Sequence, residues 1–331
     1  MGAVYPAALS FLGIAKEVTP GTAVAPTRFI PYSGFVPKEK PPLLIDEGVR
    51  GSMAVSYGGV MGPRSTEIEL SGVPFSDSFG DLLNNMLGGY LVAGAGPYTH
   101  TFSVLNSGTG QPPTHTFSDR QGLTASTGAR EWAGVCMEEL KLSGNAEGLL
   151  AYEAKLKGWG SDAAALAPTN TPTTTKVTPA WRSSVTLGGT ASPAVAEWEV
   201  TLSRELTVMH GTDGDQTPYA IARAGLGVAG KLTIWATDQA PLAAEGPLTT
   251  FLAGTEQALV IAVASSFGGT SGHSLTLTMT KAQFSTADLT RENLLGWEIE
   301  FTGHANSTDA GASGGYAPIK AVLVNGTTTY A

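Results

Sequence analysis

Gly225-Leu226-Gly227-Val228-Ala229-Gly230 has the glycine spacing that cradles a dinucleotide pyrophosphate. That chemistry needs a strand before the glycines and a helix after them, so that the helix N-terminus meets the phosphates. Lys231 to Trp235 reads as a strand instead, and the motif fails. Gly311-Ala312-Ser313-Gly314-Gly315 has the spacing of a nucleophile elbow. It lies in a loop of small residues from Ala305 to Gly315, not between a buried strand and a helix. Asp213-Gly214-Asp215 pairs two carboxylates without the other ligands of a calcium loop, and a turn accounts for it. His100 and His115 recur in Thr-His-Thr-Phe segments. Two paired strands would bring these imidazoles together as metal ligands, but the reading adopted puts one histidine on the wet face of each strand. The single cysteine, Cys136, excludes an internal disulfide framework and a cysteine-rich zinc site, and reads as a small buried strand residue. Asn306 and Asn325 head sequons that matter only in a secreted chain. No acid–base pair, triad or phosphate cradle remains. The sequence does not read as an enzyme, and no cofactor or metal is expected.

The elements that position these residues are mostly strands. The 331 residues include 42 glycines and 20 prolines, roughly 19% of the chain against about 12% in ordinary usage. That excess favours short strands joined by turns. Period-2 alternation recurs along the chain: Ile68 and Leu70 between Glu67 and Glu69, and Tyr152, Ala154 and Leu156 between charged residues. Trp198, Val200 and Leu202 do the same, as do Leu275, Leu277 and Met279, and Trp297, Ile299 and Phe301. One apolar and one wet face is antiparallel-sheet behaviour. Helical spacing is confined to Asp77 to Leu87, capped by Ser76 or Asp77 and ended by Gly88-Gly89, to a short stretch from Pro247 to Gly254, and weakly to Ala287 to Leu294.

The element order recurs. Strands at Leu43 to Tyr57 and Ser65 to Gly72, a helix, and further strands to Lys157 are followed by Ala196 to Val208, Val228 to Ala236, a helix, and strands to Thr302. This predicts a mainly β fold duplicated in tandem, with a first β domain at 1–160, a linker or long loop at 161–180 rich in Thr, Pro and Ala, and a second β domain at 181–331. Net charge is −9, the wrong sign for gripping nucleic acid through its phosphates. Gln257 to Thr280, the longest charge-free stretch, is too rich in Gly, Ser and Thr to span a membrane.

The run Gly13-Ile14-Ala15-Lys16-Glu17 with Thr19-Pro20-Gly21-Thr22 resembles the opening of phage tail tube (major tail) proteins. Similar to that family too are the Gly-rich hairpin tip from Val49 to Pro63 followed by a leucine-rich helix, Asn293-Leu294-Leu295-Gly296-Trp297-Glu298-Ile299-Glu300-Phe301, and the closing Pro318 to Asn325. The resemblance implies a β-sandwich or barrel with one short flanking helix, in a structural protein of the virion assembled in the host cytoplasm. It implies rings stacked into a tube, with hairpins joined edge to edge around a lumen for the tape-measure protein and for DNA passage. A long non-contractile, siphovirus-like tail is expected, with tail terminator and baseplate or tail-tip proteins as further partners. Two lumen hairpins are expected, Leu43 to Gly72 and Glu197 to Trp235. Three chains with pseudo-sixfold symmetry are preferred to a hexamer. Arg50, Met53, Tyr57, Met61 and Arg64 are the candidate ring or stack contacts. The alternative is an adhesion or carbohydrate-binding β-sandwich on a virion or cell surface, with Trp132, Trp159 and Trp181 as loop aromatics.

Overall fold

The computed structural model describes residues 6–120, 129–163, 171, 173–192, 194–236, 246–263, 267–291 and 294–330. The alternating segments form antiparallel ladders. Ser65–Gly72 buries Thr66, Ile68 and Leu70 and turns Glu67 and Glu69 outward, and it lies between Gly34–Glu39 and Ala151–Trp159. From there the sheet runs through residues 136–145 to Val195–Ser203, Gly227–Trp235, Leu295–Gly303 and residues 282–291. Further strands join through the same ladders into one barrel-like system, and two two-stranded ribbons stand apart from it.

Two long strands tie the system together, Ala129–Asn145 and Ser274–Arg291. Each changes partners along its length. Residues 129–135 pair with His115–Arg120, and 274–279 pair with Glu256–Val263 and with Lys320–Asn325. Register slips mark the change, between Trp132 and Val135 and between Met137 and Glu139 in the first strand. In the second they fall where Met279 gives way to Ala282 and between Phe284 and Thr286. An extra residue bends and twists its strand, so one strand serves two arms of the sheet. Leu12, Phe117, Trp132, Leu140, Trp198, Leu232, Met279 and Ile299 belong to a single continuous core.

The helix Phe79–Leu87 forms where its apolar spacing places it, and Gly88 ends it at φ 80°. Its N-cap is Ser78, without a side-chain capping bond, rather than Ser76 or Asp77. The helix Pro247–Leu252 forms as its spacing predicts.

Several expectations are corrected. Residues 287–291 continue a strand and are not helical; 292 and 293 lie outside the described residues. Leu43 to Tyr57 is not one strand: Leu43–Asp46 pairs with Gly58–Met61 as a ribbon. The neighbour of Ser65–Gly72 is therefore Gly34–Glu39, which the alternation does not reveal. In the linker, 164–170 and 172 lie outside the described residues. Its end is packed, since Lys176 N–H donates to the Gly268 carbonyl at 2.7 Å and the Thr178 hydroxyl accepts from Gly268 N–H at 2.8 Å.

Candidate assembly interface

The residues that could do chemistry are used by the fold. His100 is fully buried rather than wet, between the Tyr90 hydroxyl (2.9 Å) and the Asn325 side-chain oxygen (3.0 Å). His115 is also fully buried, 2.9 Å from the Asn85 amide, and burial among Arg223, Arg28 and Lys16 pushes its pKa down to about 3. Their strands do not pair with each other: Tyr98–Val104 joins Gly88–Ala93 and Lys320–Asn325, and His115–Arg120 joins Phe11–Lys16 and Ala129–Asn145. No metal pair forms between them. Cys136 is buried as expected, with burial raising its thiol pKa. Asp213 accepts the Asp215 N–H in an exposed turn, and no group of three metal-ligating side chains occurs among the described residues. Gly227–Trp235 is a strand, and Gly311–Ser313 is a 3-10 turn in a loop. Asn306 and Asn325 are buried and hydrogen-bonded, so neither sequon presents its amide. Trp132 and Trp198 are buried, whereas Trp181 is exposed.

A groove beside the first helix, of about 820 Å³, includes Glu17, Trp159 and Arg223 in its wall. Glu17 is the carboxylate a catalyst would need. Its oxygens already accept from Gly21 N–H, Thr114 and Thr116 hydroxyls and Gly134 N–H, at 2.6–2.9 Å. It clamps two strands and a turn together.

What the chain offers instead is sheet edge and sheet face. Residues 139–145 lie against Val195–Ser203 with Leu142 opposite Val200 and Lys141 opposite Thr201. Lys141 reaches Glu199 at 2.7 Å, and that bond raises the lysine pKa. Among the described residues, Gly34–Glu39 at one end of the sheet pairs on one side only, and so do residues 284–291 at the other. Lys40 N–H donates to the Ser65 carbonyl at 2.8 Å. Antiparallel bonding alternates, so Phe35, Pro37 and Glu39 point their backbone groups outward, and Pro37 has no N–H to give.

The wet face of this sheet is a lattice of lysine–carboxylate pairs. Lys38–Glu69, Lys40–Glu67, Lys155–Glu139, Lys157–Glu138 and Lys231–Glu298 all close within 2.6–3.0 Å. Carboxylates outnumber lysines on this face, because Glu153, Glu197, Glu300 and Asp288 add to it.

Of the sequence-predicted contacts, four lie on the projecting 43–61 ribbon. Arg50 pairs with Asp46 and sits 4.7 Å from the Tyr57 ring centroid. Met53 is fully exposed, and Met61 is 59% exposed. Arg64 differs: it turns back to its own chain, on the Ser161 carbonyl (3.3 Å) and Asp162 (3.1 Å). The edge strand Gly34–Glu39 escaped sequence reading, although Lys38 and Lys40 carry the charges complementary to Glu67 and Glu69.

No curated protein matches the sequence. The profile of the family described as phage tail tube protein matches residues 7–315. With a β-rich fold and a match along nearly all of its length, the chain thus belongs to the phage tail tube family, structural subunits of the virion's tail that self-assemble into stacked rings.

Proposed function

We propose that this tube subunit carries the tube fold twice, so that three chains close a ring of six equivalent positions. The observation that carries this reading is a coincidence of registers. Phe35 opposite Leu70 corresponds to Trp198 opposite Leu232. Leu70 opposite Ala154 corresponds to Leu232 opposite Ile299. Ala154 opposite Leu140 corresponds to Ile299 opposite Ala287. Both long strands take their second slip at the same step, after Met137 and after Phe284. Both halves open alike: Ala7–Leu9 and Ala180–Arg182 are 3-10 turns whose following residue donates back to the first. The Gly88–Val104 hairpin is the main addition to the first half.

In this reading the seam inside the chain is the template for the seam between chains. Residues 282–291 receive Gly34–Glu39 of the next chain as 136–145 receive Val195–Ser203, and Lys38 then lies opposite Asp288. Head-to-tail pairing of this kind closes a ring and removes both edges. The ion-paired face lines the lumen, which surrounds the tape-measure protein and later passes DNA, with terminator and tip proteins at the tube's ends. Its paired, slightly acidic charge offers phosphates no counterion-releasing grip.

The test is a disulfide. Lys38→Cys with Asp288→Cys places two thiols at a non-hydrogen-bonded pair, about 4.5 Å apart at Cα, within the bridging range of about 4.4–6.8 Å. Oxidised tubes are expected to give covalent species that stop at three chains. Species continuing to six would replace the trimer with a hexamer, and none would remove the edge-to-edge ring.

A further inference from the structure

The two ribbons outside the main sheet occupy the same place in chain order, each inserted between the paired strands of one half. Leu43 opposite Met61 opens the first and Leu206 opposite Arg223 opens the second, and each ladder runs for four residues. Their surroundings differ. In the second, Leu206 and Arg223 are buried at 7% and 6% exposure. Arg223 fastens it to the other half of the chain. Its N–H donates to the Gln111 side chain (2.9 Å), and its guanidinium donates to the carbonyls of Asn85 and Pro113 (3.2 Å each) and reaches Cys136 Sγ (2.9 Å). The first ribbon is tied to its own chain at its base through backbone groups, the Gln216 side chain donating to the carbonyls of Met61 (3.1 Å) and Gly62 (3.3 Å), but it leaves the side chains of Leu43, Leu44, Ile45, Val60 and Met61 each more than half exposed. A row of apolar side chains in water on a projecting arm is a surface awaiting a partner.

Resting on the three-chain ring, we infer that the 43–61 ribbon of one chain docks on the C-terminal half of its neighbour, at the end of the helix Pro247–Leu252 beside Gln283. The position follows from the register. Cys136, opposite Lys157, lies one residue before the Met137 that precedes one bulge, and Gln283, opposite Thr302, lies one residue before the Phe284 that precedes the other. Gln283 is therefore the counterpart of Cys136, and the end of Pro247–Leu252 is the counterpart of the helix end that offers the Asn85 carbonyl. Met61 takes the place of Arg223. The chemistry changes to match. Where Arg223 meets carbonyls, Met61 meets Leu252, which is 67% exposed. Gln283 is already engaged, donating to the Gly254 carbonyl (3.0 Å) and bonding His304 (3.0 Å), so the site asks its partner for no charge. The occupant is a second copy of this chain, held by apolar contact where the intrachain equivalent uses a buried arginine.

The test joins Met61→Cys to Leu252→Cys on tubes of the full chain with a short bis-maleimide, alongside the Lys38→Cys/Asp288→Cys disulfide. The buried Cys136 stays in place. Both pairs linking chains into covalent trimers is the expected result. If the edge disulfide forms and the maleimide pair does not, the arm lands elsewhere and this proposal fails while the ring stands. If neither forms at any protein concentration, the ring fails and takes the docking site with it. Linking by Met61→Cys alone would place the arms against each other and overturn the site. As a second measure, Met61→Asp and Leu252→Asp should each leave the monomer's Tm unchanged and raise the concentration needed for tube formation at least tenfold. Unaltered assembly of either variant overturns the contact.

Discussion

The helices Phe79–Leu87 and Pro247–Leu252 come after the strands Ser65–Gly72 and Gly227–Trp235 in the chain, yet they carry different loads. All nine residues of the first are buried, three of them polar and each satisfied. Asp81 holds Arg28 with a 2.6 Å bond between Oδ1 and Nη2. Asn84 donates to the Tyr330 carbonyl, and Asn85 bridges Val135 and Met137. Gly80 lets Tyr330 lie against the helix, where an added Cβ would come within 2.4 Å of its ring. The second helix has no buried residue; it lays Leu248 and Phe251 partly buried against the core. One is a keystone and the other a cover. A short amphipathic helix can therefore be central or peripheral, and which it is depends on the polar residues beside its apolar stripe.

The contrast breaks most sharply at Leu83, which is 1% exposed. Leu83→Asp buries an unpaired charge and should cost about 4 kcal/mol or more in urea unfolding, or prevent folding. Phe251→Asp on the cover should cost less than half as much. A comparable loss at both would erase the distinction. Asp81→Ala strands the partly buried Arg28 guanidinium and should cost about 3 kcal/mol by the same measurement. Gly80→Ala forces Tyr330 aside and should cost about 1–3 kcal/mol.

Acid probes the keystone from below. His115 packs on Asn85 with its pKa at about 3, against about 6.5 in the unfolded chain. The unfolded state binds the proton first, so this contribution is present above pH 6.5 and declines as pH falls from there toward 3. Tm should drop over that window, and His115→Gln should flatten the drop. The smallest effect belongs to the cover: Pro247→Ala, at the first helical position, should change stability by less than about 1 kcal/mol.

Much of this was legible in the sequence, for reasons that also explain the misses. Ile68, Leu70, Trp198 and Val200 alternate cleanly because one side of their sheet is wet. His115 misleads because His115–Arg120 is covered on both faces, and residues 115–119 are all buried. Residues 287–291 look helical because the bulge after Phe284 shifts burial from Ala282 and Phe284 to Ala287. An alternation that slips by one imitates a three-residue step. Gly34–Glu39 hides because Pro37 and Lys38 interrupt its apolar residues and its outer side has no partner among the described residues. That Arg50, Met53, Tyr57 and Met61 share one hairpin segment was legible from its glycine-rich tip. The landing site proposed for Met61 has no such signal, since it is inferred only when two ladders are laid over each other.

Pro37 also shapes what can pair with that outer edge. If two copies of Gly34–Glu39 met edge to edge in an isologous dimer, both sides would lack the donor of Pro37. That dead-end pairing would hold few bonds, and the same deficit discourages fibre growth through this edge. The edge gains most from a different strand that brings its own N–H groups. The missing hydrogen of Pro37 thereby biases this edge against its own copy and toward an unlike strand.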